Sequence, residues 1–248
     1  MLNSSTLEKL SALRLNEMAD AWQEQQRTTD HDALTFDERF GFLVDALWLG
    51  RENRRLERSL KEARLRLTQA SLEAIEHRPQ RPLNKALLRQ LATGRWIAEH
   101  HNVVVTGPTG TGKTFLACAL AHQACRTGFR VLYRRVPRLF EELTLAHADG
   151  SYTRLLARLA RTDVLVLDDW GLAPLRDQDR RDLLEIFEDR YGLRSTILTS
   201  QLPIEHWHDH LGEATVADAI CDRLLHNAHR IALEGPSWRK EETAQLSD

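Results

Sequence analysis

The chain has 248 residues, of which 42% are hydrophobic, and a formal net charge of -2. This composition supplies the core of a globular protein, either as one large domain or as a domain with an appendage. Its longest apolar run is far below the roughly 18 residues that a membrane-spanning helix needs, and its first residues lack the regions of a signal peptide. We therefore expect a cytoplasmic protein.

Residues 1–78 have the pattern of a small helical domain. Thr35-Phe36-Asp37-Glu38 forms a capping box that predicts the start of a helix whose apolar residues run from Phe36 to Leu47 at helical spacing. A further helix, with Leu56, Leu60, Ala63 and Leu67 on its apolar side, carries many arginines. Those arginines contact DNA phosphates or a partner, or they form a solvated face that glutamates partly neutralise. The proline-bearing stretch 77–82 breaks this pattern and predicts a domain boundary, with a second domain over residues 79–248.

From Leu83 onward, short apolar strands alternate with helical segments. This order is typical of an α/β fold in which helices cover both faces of a parallel sheet. Ligands of such sheets bind at the carboxyl ends of the strands. The predicted strands are 103–106, 130–133, 164–167 and 196–199.

The segment from Gly107 to Thr114 has the pattern G-x4-G-K-T of a phosphate-binding loop (P-loop), and it directly follows the first of these strands. Its glycines allow successive N–H groups to point at phosphate oxygens at the N-terminus of the next helix. Lys113 is expected to reach the β and γ phosphates of ATP or GTP, and Thr114 to bind Mg2+. The predicted nucleotide contacts are Gly107, Pro108, Thr109, Gly110, Thr111, Gly112, Lys113, Thr114 and Phe115.

Two adjacent acids end the strand that begins at Val164. We expect Asp168 to hold Mg2+ through water and Asp169 to orient or deprotonate the attacking water. Position 169 is usually glutamate in the AAA+ superfamily. The shorter aspartate predicts hydrolysis that is slow or that depends on a partner to close the geometry.

Two further positions are candidates for roles around the γ phosphate. After the strand 196–199, Ser200 is the first choice for a sensor of that phosphate and Thr199 the second, although either residue suits plain helix capping. In the helix that Thr215 is predicted to cap, the apolar stripe runs from Val216 to Ala228 and leaves Arg223 off it. Arg223 is then either a surface arginine or a group presented to a neighbouring subunit's γ phosphate.

Four stretches together resemble the IstB helper ATPases of bacterial insertion sequences, which belong to the initiator and helicase-loader branch of AAA+ proteins, alongside DnaC. The likeness covers nearly the whole chain, including the opening Leu-Arg-Leu-Asn-Glu-Met-Ala region. The stretches are Gly-Pro-Thr-Gly-Thr-Gly-Lys-Thr at 107–114, Leu-Asp-Asp-Trp-Gly-Leu-Ala-Pro-Leu at 167–175, Thr-Ser-Gln-Leu-Pro at 199–203 and Ala-Ile-Cys-Asp-Arg-Leu-Leu-His-Asn-Ala-His-Arg-Ile at 219–231.

The resemblance implies roles for individual residues. By it, Lys113 and Thr114 hold phosphate and Mg2+, and Asp168 and Asp169 are the paired acids. Ser200 is the first sensor and Arg223 the arginine that acts on the neighbouring subunit. Arg239 resembles the second sensor, at a looser spacing.

The resemblance also implies partners. A helper of this kind assembles with ATP on duplex DNA as a ring, spiral or filament, deforms the DNA, and presents it to a transposase. Binding to DNA would be largely independent of sequence and sensitive to salt. The expected DNA-facing arginines, each of which is alternatively a paired surface residue, are Arg134, Arg135, Arg138, Arg154, Arg158 and Arg161.

Three other functions stay open from the sequence. A helicase loader of the same branch would carry an N-terminal extension that docks on a replicative helicase. A small-molecule kinase would need an acceptor pocket and a lid. A structural protein that coats DNA would bind ATP with little turnover, which the aspartate at 169 permits.

Overall fold

The computed structural model describes residues 2–27, 34–75 and 83–237. The described residues up to Arg58 form one compact unit, and those from Ser59 onward form a second. The domain boundary that the sequence predicts near residue 78 lies outside the described residues, as does Arg239.

Three helices precede residue 64: α1 (Leu2–Ala12), α2 (Asn16–Arg27) and α3 (Phe36–Ala63). The predicted capping box is confirmed, because the Thr35 N–H donates to Glu38 and the Glu38 N–H to the Thr35 hydroxyl. The expectation of two separate helices in this stretch is wrong. α3 is continuous for 28 residues, through Gly41 and Gly50, and stops before Leu67. Neither α3 nor any other helix in the described ranges is apolar enough over a sufficient length to cross a membrane.

The second unit contains a five-stranded parallel sheet in the order β2-β3-β4-β1-β5. Helices lie between successive strands, so the α/β architecture expected from the sequence is confirmed. The strands are β1 (Asn102–Thr106), β2 (Val131–Arg135), β3 (Val164–Trp170), β4 (Ser195–Ser200) and β5 (Ala228–Ala232). The helices are α4 (Lys85–Ala92), α5 (Arg95–Ala98), α6 (Lys113–Arg126), α7 (Val136–Asp149), α8 (Tyr152–Arg161), α9 (Asp177–Arg190), α10 (Trp207–Leu211) and α11 (Ala214–Leu225), with a 3-10 turn at Ile204–His206.

The central strands are apolar on both faces because helices cover the sheet on each side. Val103 and Val105 of β1 are fully buried, and so are the four residues that open β3. The β-branched valines fit the pleated backbone and pack between the two helical layers.

The end of the chain differs from the sequence-based prediction in two respects. The helix expected to be capped by Thr215 begins at Ala214, after Glu213, and Thr215 lies within its first turn. Ala228, which was predicted to lie on that helix, instead opens β5, which pairs with β1. In β5 only Ile231 is buried, and polar residues lie between it and Ala228. This edge strand therefore lacks the apolar run that marks the other strands.

The parallel register brings three strand ends to one edge of the sheet. Thr106 at the end of β1 pairs with Ser200 at the end of β4, and Arg135 at the end of β2 pairs with Asp168 in β3. The loop that follows β1 therefore lies beside the acids of β3 and the polar end of β4.

Candidate nucleotide-binding site

The phosphate-binding loop joins β1 to α6, and its shape depends on glycine. Gly107, Gly110 and Gly112 all have positive φ angles, of 148°, 83° and 95°. A Cβ at Gly107 would collide with the Leu233 carbonyl, and one at Gly110 with the Ser237 side chain. Glycine is therefore required both by the backbone conformation and by the close approach of the segment that follows β5.

Lys113 opens α6 and is buried inside this loop. Its ammonium donates to the carbonyl oxygens of Gly107 and Pro108, at 2.7 Å each. The Thr111 hydroxyl also donates to the Pro108 carbonyl, at 2.9 Å, which further ties the loop together. The ammonium is thus held within the loop at the N-terminus of α6, where backbone N–H groups and the helix dipole attract anions.

Asp168 is fully buried and lies at the centre of a set of hydroxyl donors. The Thr114 hydroxyl lies 3.0 and 3.1 Å from its two oxygens, and the Tyr133 phenol 2.6 Å from Oδ2. The Thr199 hydroxyl donates to Oδ1. These bonds join the ends of β2, β3 and β4 to the first turn of α6.

Tyr133 is a member of this cluster that the sequence pattern did not predict. Burial, together with the hydrogen bond that the phenol donates to Asp168, raises the pKa of Tyr133. The phenol therefore stays protonated and keeps one lone-pair direction of the carboxylate fixed. The sequence did contain a signal for this contact: Tyr133 is the last residue of the predicted strand 130–133.

Asp169 follows Asp168 at an irregularity of β3, where the register with β4 shifts between Leu167 and Trp170. Its φ of +65° is in the left-handed region, which non-glycine residues seldom adopt and which often marks functional sites. Its Oδ2 accepts a 2.8 Å hydrogen bond from Arg135 Nε, and this bond raises the pKa of the Arg135 guanidinium. Arg135 therefore holds the carboxylate expected to activate water.

The two sensor candidates lie in different surroundings. Thr199 bonds Asp168 through its hydroxyl, and the same oxygen accepts from the Asp169 N–H at 3.2 Å. Ser200 is fully buried, and its hydroxyl donates to the Trp170 carbonyl and accepts from the Leu202 N–H. The structure thus places Thr199, the second choice, against the acid pair, whereas the Ser200 hydroxyl is occupied by backbone groups of neighbouring loops.

The oxygen atoms around Asp168 fit Mg2+. The ion prefers hard oxygen ligands and retains several waters, and the adjacent Thr114 hydroxyl and Asp168 carboxylate supply such oxygens at the mouth of the loop. Asp168 is the buried acid, so a divalent cation would compensate a charge that water does not reach.

Arg223 lies towards the opposite end of the strands from the phosphate-binding loop. The carbonyl of Arg223 accepts from the side chain of Asn102, the first residue of β1, whereas the loop follows the last residue of that strand. Its guanidinium pairs with Glu188 and donates to the Ala219 carbonyl, and it stacks over the Tyr191 ring at 6.0 Å. Arg223 is thus remote from the nucleotide loop of its own subunit.

The arginines expected to face DNA separate into two groups. Arg134 is buried and bound to Glu142 and the Tyr133 carbonyl, so it does not match the expected outward orientation, whereas Arg135 is partly exposed and is held by Asp169. The first faces inward because β2 alternates its side chains across a sheet covered on both faces. Arg138 is exposed and paired with Glu141 at 2.7 Å.

The remaining three candidates form a stripe on α8. Arg154, Arg158 and Arg161 are exposed, and their spacing of four and three residues places them on one helical face. Leu156 and Leu159 bury the opposite face in the core. The α8 stripe, defined as these three arginines, therefore presents positive charge to solvent from a firmly packed helix.

This fold and this site define an α/β protein with a phosphate-binding loop beside a pair of acids. The chain belongs to the family of IstB-like ATP binding proteins, whose family model matches residues 8–246. It is 50% identical over 242 residues to a putative insertion sequence ATP-binding protein of Sinorhizobium fredii (strain NBRC 101917 / NGR234), with 98% of each chain covered.

Two solved structures, of DnaI and of the DnaC helicase loader, share the fold. DnaI aligns with a TM-score of 0.58 and 24% identity, over 67% of this chain and 92% of that one. The DnaC helicase loader aligns with a TM-score of 0.56 and 21% identity, over 66% and 97%. The expected membership of the IstB-like family, with a fold like that of DnaC, is confirmed.

Proposed function

We propose that this protein is an ATP-dependent helper of transposition. It binds ATP with Mg2+, oligomerises on duplex DNA as a ring, spiral or filament, remodels the DNA and delivers it as target to a transposase. The support is the convergence of Lys113, Thr114, Asp168 and Thr199 at one sheet edge, in a chain whose relative is named for an insertion sequence. We assign this activity to the cytoplasm.

In the proposed mechanism, Lys113 leaves the loop carbonyls to bind the β and γ phosphates. Bound at Thr114 and Asp168, Mg2+ would supply charge neutralisation of the phosphates. Thr199 fixes Asp168 and the backbone of Asp169, so it links the metal-binding acid to the carboxylate that orients water. Hydrolysis requires Asp169 to exchange Arg135 for that water, and this exchange predicts slow turnover that DNA or a partner stimulates.

Arg223 is proposed to act on the nucleotide of the adjacent subunit. Its position at the opposite end of the strands from its own loop supports this role, since it can contribute only across a subunit interface. The α8 stripe is the proposed DNA contact, because it offers exposed guanidinium groups for phosphate oxygens. Arg239 remains the proposed second sensor.

A second candidate is a DNA-coating protein that binds ATP and scarcely hydrolyses it. The bond between Arg135 and Asp169 favours this candidate, because it occupies the carboxylate that turnover requires. A replicative helicase loader is the further alternative, in line with the fold shared with DnaC.

Electron microscopy of the full chain with duplex DNA tests the proposal, with and without a non-hydrolysable ATP analogue and Mg2+. Ordered oligomers on DNA that need the analogue would support it, and ATP hydrolysis measured on the same sample separates the helper from the coating protein. A chain that stays monomeric with ATP and duplex would contradict both. Stimulation by the transposase of the same element, and not by a replicative helicase, separates the helper from the loader.

A further inference from the structure

An arginine outside the recognised motifs reaches both acids of the nucleotide site. Arg66 lies three residues after the end of α3, and its Nη1 is 3.7 Å from Asp168 Oδ2 and 3.8 Å from Asp169 Oδ2. Its side chain is 41% exposed, whereas Asp168 is fully buried. One guanidinium thus extends from the surface to the two carboxylates that the mechanism assigns to Mg2+ and to water.

The segment that carries Arg66 is firmly attached to α6, the helix that begins at Lys113. The backbone of Leu67 and Arg66 lies against the Cys118 sulfur of α6; burial, the largest effect, raises the pKa of this thiol, whereas the two backbone groups lower it. Glu73 pairs with Arg126 in the last turn of α6 at 2.6 Å, and this ion pair lowers the pKa of Glu73 to about 2. These contacts are about two helical turns apart, so the segment is fixed along α6 and Arg66 is presented at a defined place.

The contact of Arg66 with the two acids reduces the repulsion between their negative charges. Asp168 and Asp169 are neighbours in the chain, and two carboxylates held together repel each other unless a cation lies close. In the nucleotide-bound state that cation is Mg2+, as the proposed function requires. A guanidinium and a divalent ion beside the same carboxylates repel one another. Arg66 must therefore withdraw, or weaken Mg2+ binding if it remains.

We propose that Arg66, beside the Arg135 that pairs with Asp169, is a resting counter-charge of the acid pair and competes with Mg2+ for it. This positioning role rests on the proposed function, because it presupposes that nucleotide binds with Mg2+ at Thr114 and Asp168. Arg66 thereby sets the Mg2+ concentration at which nucleotide is held.

The test is a Mg2+ titration of the binding of a fluorescent ATP analogue to the full chain. Arg66→Gln should lower the Mg2+ concentration for half-maximal binding by roughly two- to fivefold, the upper part of the range for removal of a partly exposed charge pair. The affinity measured in EDTA should stay within about twofold of wild type, because Arg66 contacts the acids and not the phosphate loop. Arg66→Lys should keep the wild-type Mg2+ dependence, since it retains the charge.

Arg64→Gln is the matched control, because it removes the same charge from an exposed side chain two residues away. An equal shift in Arg64→Gln, or a half-maximal Mg2+ concentration in Arg66→Gln that is unchanged or raised, would overturn the proposal. If Arg66→Gln does not fold, Arg66→Lys becomes the test. A half-maximal Mg2+ concentration lowered in Arg66→Lys by as much as is expected for Arg66→Gln would overturn the proposal. Wild type that binds no nucleotide at any Mg2+ concentration would instead defeat the proposed function.

Discussion

The positive charge of the phosphate-binding loop is the ammonium group of Lys113. It donates to two loop carbonyls in the structure, and phosphate oxygens are stronger acceptors for the same group. We expect Lys113→Ala to weaken ATP binding by roughly 100-fold or more, since it removes charge-assisted hydrogen bonds to phosphate. Calorimetric titration measures this, with the exposed Lys85→Ala as control. Affinity retained in Lys113→Ala would show that nucleotide binds elsewhere.

Replacing Asp169 should separate ATP-driven assembly from ATP hydrolysis. Asp169→Asn keeps the size of the side chain but removes the negative charge and the capacity to accept a proton. ATP-driven assembly should therefore persist while hydrolysis falls by roughly 100-fold or more. Sedimentation with ATP, beside a phosphate-release assay, checks both expectations. Loss of assembly together with hydrolysis would show that this carboxylate, through Arg135, serves structure.

Removing the hydroxyl of Thr199 and removing that of Ser200, both at the end of β4, should affect ATP hydrolysis differently. Thr199→Val retains the shape of the side chain but removes the bond to Asp168, so hydrolysis should fall roughly 10- to 100-fold, in addition to a stability cost of about 1–3 kcal/mol for the lost buried bonds. Ser200→Ala removes a buried hydroxyl that bonds Trp170 and Leu202, so it should cost about 1–3 kcal/mol of stability while the folded protein keeps its turnover. Phosphate release and thermal unfolding together measure this, and the reverse pattern would restore Ser200 as the sensor.

The elements of the fold were predictable to different degrees. The central strands and the phosphate-binding loop stand out because β1 has three consecutive valines and glycines follow it at fixed spacing. The edge strand β5 is half exposed and has no such run, so the pattern extended α11 through Ala228. Likewise, the two apolar patterns of residues 36–67 predicted two helices, whereas α3 runs without a break from Phe36 to Ala63.

Side-chain direction at the strand ends limited the prediction of the site. The sequence identifies Asp168 as the end of an apolar strand, but the contact of Tyr133 with it depends on the register between β2 and β3. The same register brings Arg135 to Asp169, to which it is bonded while its side chain stays 40% exposed. Arg66 is joined to the acids only through tertiary packing, for which the sequence gives no local signal.

The α8 stripe predicts the salt dependence of DNA binding. Replacing Arg154 and Arg158 by Gln should reduce the slope of log K against log salt by roughly 0.9 for each phosphate that is no longer neutralised. Fluorescence anisotropy with an arbitrary duplex, at several salt concentrations, measures the slope. The exposed pair Arg89→Gln and Arg95→Gln removes equal charge from α4 and α5 and should leave the slope unchanged. Equal slopes for both double variants and wild type would place the DNA-binding surface elsewhere.

At the scale of the whole molecule, the position of Arg223 predicts that catalysis belongs to an assembly. Arg223 lies towards the other end of β1 from the phosphate-binding loop. In an isolated subunit it therefore does not reach the bound nucleotide. Arg223→Ala should leave ATP binding by the monomer intact while hydrolysis falls by roughly 1,000-fold. The exposed Arg230→Ala on β5 is the control and should retain activity. An equal loss in both variants would indicate general damage to this region.

Mixing two inactive variants tests whether Arg223 acts between subunits. Arg223→Ala supplies an intact acid pair, and Asp169→Asn supplies an intact arginine, so an interface that joins them in the right order is complete. Because a head-to-tail interface has a direction, random association at equal amounts completes about one interface in four. Hydrolysis should therefore recover to about a quarter of the wild-type rate and rise with protein concentration. If both variants assemble together and the mixture stays inactive, Arg223 does not reach the neighbouring nucleotide.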